Sequence, residues 1–211
     1  MGIGLYRHFP EDRPGAYRND GVQDVQLAVS RDGVRWQRPE RRPYIARGSE
    51  GSWDAGCIWP TLGMIRRGNE IWQYYCGTWH THGHIEPGMK PSGGLCRLEQ
   101  RLDGFVSADA GEQGGEIVTP LLTFTGTELE LNVDCAAQGS VRVAILDEKE
   151  QPIPGYTLAA AEPVDRNQIA ARVRWTTGKE IGSLQGRLVR LHFQTRSCKL
   201  YAFQFTDREN Q

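Results

Sequence analysis

Apolar and polar positions alternate along most of this chain in short runs, the period of two that turns one face of a β-strand toward a core. "DVQLAVS", beginning at Asp24, and "VRWQRP" flank Asp32-Gly33, and Asp-Gly between two such runs predicts a hairpin. After the crossing loop "RPERRPYIARGSEGS", "GCIWPTLGMI", the turn "RRGN" and "EIWQYYCGT" predict a second hairpin. A glycine- and proline-rich loop, "WHTHGHIEPGMKPSGG", leads into a third, "LCRLEQRLDGFVS", turning at Asp103-Gly104. The one helix-like patch, "YTLAAAEPVD", is short and is broken by Pro163.

The acidic, glycine-rich break "ADAGEQGGE" (108–116) reads as a domain boundary. Beyond it come evenly spaced runs: "IVTPLLTF", "ELELNVDC", "SVRVAILDE", "ARVRWTT", "RLVRLHFQT" and "KLYAFQF". Leu129, Leu131 and Val133, then Val141, Val143 and Ile145, alternate cleanly. Short alternating strands with turn signals between them predict an antiparallel β-sandwich over 113–211. Residues 1–112 read differently. "QLAVSRDGVRW" and "RLEQRLDGFVS" echo one another at their Asp-Gly turns, with one hairpin between them. Such hairpin pairs make the four-stranded blades of a β-propeller, of which only about one and a half fit here against the ~4 or more of a closed ring. The expectation is an all-β chain: partial propeller-like antiparallel sheets, then a sandwich. Bare sheet edges in 1–112 further predict a homo-oligomer, most simply a two-fold dimer.

Composition narrows the function classes. In 211 residues, 25 basic and 26 acidic side chains leave a formal charge of −1, which gives no electrostatic footprint for nucleic acid or an anionic membrane. No apolar run approaches the ~18 residues of a membrane span. The start, "MGIGLYRHFPEDRPG", has no basic segment followed by an apolar one, so no signal peptide is read there. The five cysteines, 57, 76, 96, 135 and 198, are widely spaced without a C-x-x-C pair. They argue against a zinc ribbon or a disulfide scaffold and read as buried free thiols. No nucleophile elbow or phosphate-cradling glycine loop is present.

Candidate chemistry concentrates around "WHTHGH" (79–84). In an antiparallel hairpin the start of the first strand lies beside the end of the second. Trp53 and Asp54 precede one strand, and Trp79, His80, His82 and His84 follow the other, so these residues should share one rim. Indole faces pack on the C–H faces of sugars, and polar groups fix the hydroxyls. A plain polar connection is the alternative. A metal is another: imidazoles at H-x-H spacing with Asp54 or Glu86 can take a divalent ion, including an adventitious one. No cofactor is otherwise implied. Asp54 also reads as a turn former in "SWDAG", and Asp32 and Asp103 do so because glycine follows each. Trp36, Trp59 and Trp72 lie in strand patterns and read as core.

The ordered set "DVQLAVSRDGVRWQRP", "GSWDAGCIWP" with "EIWQYYCGTWHTHG", and "RLDGFVS" before a sandwich resembles the C-terminal half of bacterial proteins related to the five-bladed propeller glycoside hydrolases of families 32 and 43. "SRDGVRW" is also similar to a shortened Asp-box turn. The resemblance implies a carbohydrate-active protein. The carboxylates that family carries on its early blades have no counterpart here. If the chain hydrolyses glycosides, the paired carboxylates would be Asp54 and Glu86. Trp53, Trp79, His80, His82 and His84 would bind substrate. The rival expectation is a non-catalytic carbohydrate-binding or structural module whose enzyme half lies upstream.

Overall fold

A computed structural model describes residues 2–8, 20–83 and 93–207. The chain is all-β and divides into two compact units, Met1–Arg101 and Leu102–Gln211.

The first unit is a six-stranded mixed sheet. Its strands are β1 (Gly2–His8), β2 (Gly21–Leu27), β3 (Cys57–Pro60), β4 (Ile65–Arg67), β5 (Glu70–Thr78) and β6 (Gly94–Arg101). The order is β1-β2-β3-β5, with β4 and β6 also on β5. The predicted "RRGN" hairpin is present. Gly68 turns at φ 58°, β4 pairs with β5 from Arg67↔Glu70 to Ile65↔Trp72, and β3 resumes from Pro60↔Tyr75 to Cys57↔Thr78. β6 takes the other edge of β5, from Glu70↔Arg101 to Gly77↔Gly94. β2 meets β3 in parallel at Gln23↔Cys57. The sequence pattern did not predict β1. It pairs along β2 and sets Arg7 on the buried carboxylate of Asp24 at 2.6 Å.

A small core of Val25, Ile45 and Ile58 packs with Tyr44, Tyr75 and Leu98. Alternation then sends Trp59 and Trp72 to the opposite face. Both are half-buried there rather than core, and Trp72 lies against the guanidinium groups of Arg67 and Arg97. Trp36 is exposed as well, because it belongs to the Asp-Gly turn. There Asp32 Oδ1 accepts from the Val34 and Arg35 amides, the Ser30 hydroxyl caps Gly33, and the Trp36 indole donates to the Gly33 carbonyl. Those donors hold the Asp32 carboxyl below its usual range, the Arg35 amide foremost. The flanking runs of this hairpin meet only at the bridge Val29↔Gln37.

The second unit contains β7 (Ala108–Ala110), β8 (Gly115–Val118), β9 (Glu128–Leu146), β10 (Gln168–Arg172) and β11 (Arg190–Thr206). They form one antiparallel sheet, β10-β9-β11-β7, with β8 also on β11. Where the sequence predicts a sandwich, these strands belong to this single sheet. Its apolar side shares a core with Tyr156, Trp175, Ile181, Leu184 and Val189 from the irregular chain between β9 and β11. Two pairs of predicted strands are each one long strand, because the chain bulges at 136–139 and at Ser197 instead of breaking. The bulge switches the parity of β11, so that Leu191 and Phe193 before it and Cys198 and Leu200 after it all face the core.

The third hairpin does not form: the chain turns at 102–105, and β7 pairs with β11 instead of β6. The glycine-rich break lies within the second unit, between β7 and β8, pinned where the Ser197 amide and the Arg196 guanidinium donate to the Gly111 and Glu112 carbonyls. Cys135 and Cys198 are not free thiols. They stand opposite one another in the β9–β11 register and form a disulfide. Cys57 is a buried thiol, whereas Cys76 is exposed and Cys96 half-buried.

Candidate functional site

β3 and β5 set the rim. Because their pairing runs Cys57↔Thr78, the residues before Cys57 come back beside those around Thr78. The Gly56 amide donates to the Thr78 carbonyl at 2.9 Å, and a Cβ on Gly56 would sit 1.9 Å from the His80 carbonyl oxygen. Only glycine lets these two backbones touch.

Trp53 lies across the ends of β5 and β6. A Cβ on Gly77 would meet its ring at 2.8 Å and one on Gly94 at 3.0 Å, and these glycines are cross-strand partners. The absent side chains leave a flat seat for the indole. The ring also stacks on Tyr75, with centroids 6.2 Å apart and planes 16° apart. It nevertheless remains 40% exposed.

Asp54 is buried. Its Oδ1 accepts from the Ser52 hydroxyl at 2.8 Å and its Oδ2 from the Tyr75 hydroxyl at 3.2 Å. Gly48 packs so closely that a Cβ there would fall 2.0 Å from Oδ1. Burial, with the neighbouring Asp54 carboxylate second, pushes the Tyr75 phenol up to about 12.

β5 ends at Thr78, so the histidine segment begins as a loop. Trp79 is 48% exposed and meets the His80 ring edge-on at 5.8 Å. His80 Nδ1 lies 3.0 Å from the Thr81 carbonyl, and the His82 side chain is exposed. The loop is fastened from β2: the His82 amide donates to the Gly21 carbonyl, and the Gly83 amide to Asp20 Oδ1, each at 2.9 Å. The same Asp20 oxygen takes the Gly21 amide at 2.8 Å.

Trp53 and Asp54 therefore reach the Gly77 end of β5, and Trp79, His80 and His82 follow directly from it. His84 and Glu86 lie outside the described residues. Among the described residues no group of His, Cys, Asp and Glu is arranged to hold a metal ion. Sequence reasoning missed Asp20, Ser52 and the Gly77–Gly94 seat. A glycine inside a strand pattern does signal close approach, so "YYCGT" carried a hint. Nothing local marked Asp20, whose partner Gly83 is 63 residues away.

No family model matches the chain, and no curated protein matches it. Among solved structures the chain is similar to a glycoside hydrolase family 43 arabinoxylan arabinofuranohydrolase from Bacillus subtilis, whose crystal structure is in complex with cellotetraose. The TM-score is 0.27 at 11% identity, and the match covers 98% of this chain and 52% of that one. The chain thus spans about half the length of that protein.

Proposed function

We propose that the first unit binds carbohydrate at the rim carrying Trp53 and Trp79. One observation carries this reading: a flat indole, seated on paired glycines and backed by Tyr75, keeps 40% of its surface open. Holding a large apolar ring half in water forfeits burial that a core position would recover. A preordered aromatic face beside hydrogen-bonding groups is what a sugar ring needs. Trp79 supplies a second exposed indole, and His80 and His82 supply polar groups along the same loop.

Binding is better supported than hydrolysis. A glycosidase needs one carboxyl group as acid and another as nucleophile or base. Asp54 is buried, with Oδ1 accepting from the Ser52 hydroxyl and Oδ2 from the Tyr75 hydroxyl, and in this reading it braces the tyrosine that stacks with Trp53. The test is a titration of the chain against soluble oligosaccharides of glucose, xylose, arabinose and fructose, alongside assays for released reducing sugar. Binding without turnover supports the module. Turnover abolished in both Asp54→Asn and Glu86→Gln would show a hydrolase instead.

A further inference from the structure

We propose that the outer edge of β6 pairs with the same edge of a second copy of the chain, antiparallel about a two-fold axis at Leu98. β5 occupies one side of β6, and among the described residues no strand pairs with the other. A strand edge without a paired neighbour is a template for another strand.

The register follows from faces and charges. An axis between two residues would set the face carrying Leu98 opposite the face carrying Arg97, and a one-residue slip of this kind exchanges core for solvent. The axis must therefore pass through a residue. Centred on Arg97, it sets Arg97 against the partner's Arg97. Centred on Glu99, it sets Glu99 against the partner's Glu99 and Arg97 against the partner's Arg101. Like charges directly opposite are destabilising. Centred on Leu98, it sets Arg97 against the partner's Glu99 and Glu99 against the partner's Arg97. Moving the axis farther out shortens the ladder.

The side chains suit that arrangement. Arg97 is already held over the Trp72 ring at 3.9 Å and paired with Glu99, so both charges are in place on the outward face. Leu95, 65% exposed, would lie along the aliphatic stem of the partner's Arg101. On the inward face Leu98, which packs on the small core of Val25, Ile45 and Ile58, would meet the partner's Leu98 and extend that core through the axis. Charged residues on an edge can also simply repel other strands. A guard works whatever the order of its signs, whereas the pairing requires Arg97 and Glu99 to be opposite in sign, and that difference is testable.

The experiment is sedimentation velocity of the full chain over a micromolar range, with Arg97→Glu, Glu99→Arg and the double exchange. The wild type should dimerise. Each single reversal should raise the dissociation constant by about tenfold or more, the scale of opposing like charges at two symmetric positions. The double exchange, which restores every pair within and between copies, should return to within a few-fold of wild type. Hydrogen exchange on the unmodified chain gives an independent reading: β6 amides should gain protection as concentration rises through the dimer transition. A wild type that stays monomeric at about 100 μM, single reversals that dimerise unchanged, a double exchange that fails to restore, or β6 amides indifferent to concentration would each overturn the proposal.

Discussion

The Tyr75 hydroxyl donates to Asp54 Oδ2 at 3.2 Å, and the Tyr75 ring stacks with that of Trp53, centroids 6.2 Å apart. Burial and this carboxylate raise the phenol to about 12, against an unfolded value of ~10. The raised value means the neutral phenol is favoured in the fold. Its contribution to stability is complete below the unfolded value and is lost as pH rises through about 12. An alkaline absorbance titration should show a late-ionising tyrosine that is missing in Tyr75→Phe. A variant spectrum that loses an ordinary tyrosine instead would remove this account of the pair.

The glycine seat predicts an asymmetric mutational response. Gly77→Ala and Gly94→Ala should each displace the Trp53 ring and cost about 1–3 kcal/mol, the range for forcing a methyl into packed space. Gly111→Ala is the control, since a Cβ there meets nothing within 4 Å. Thermal denaturation with tryptophan fluorescence separates the cases: the first two should change both signals and the control neither.

The disulfide joins residues 63 apart across the centre of the second unit's sheet. Closing a loop of that length is worth about 4 kcal/mol on the chain-entropy account. Cys135→Ser with Cys198→Ser should lower the second unit's melting temperature accordingly. Thiol titration in denaturant should find three reactive cysteines before reduction and five after it. Five before reduction would show that the bond does not form.

Asp20 fastens the histidine loop through a single oxygen that accepts two amides. Asp20→Asn keeps an oxygen at that atom and should leave the loop in place. Asp20→Ala leaves buried donors unpaired, at about 1–3 kcal/mol. Amide exchange at Gly83 should quicken in the alanine variant and stay slow in the asparagine one. Equal exchange in all three proteins would mean the loop is held by other contacts.

How much of this was legible in the sequence depended on the range of the interaction. The "RRGN" turn and its alternating flanks placed Trp53 and Trp79 at one end of a hairpin, because pairing from a tight turn fixes register locally. The turn at Asp32 was equally local. The seat under Trp53 was not, since it needs Gly94 on a third strand. The disulfide escaped because β9 and β11 were each read as two strands, which hid that Cys135 and Cys198 face one another. The face of Trp72 is not legible locally, because alternation says which residues share a side but not which side is buried. Asp20 lies before the first predicted strand and acquires its role only when the loop from β5 returns to it.

The central claim is that Trp53 and Trp79 form a sugar-binding rim, and calorimetric titration tests it most directly. Wild type, Trp53→Ala and Trp79→Ala would each be titrated with the tightest-binding oligosaccharide of the glucose, xylose, arabinose and fructose series. Each loss of an aromatic anchor should weaken binding by at least about tenfold, the scale of a binding hot spot. The thermal transition of the second unit, built on Leu129, Leu131, Val143 and Phe193, should be unchanged. Wild-type affinity in both alanine variants, or no heat from any member of the series with the wild type, would contradict the account.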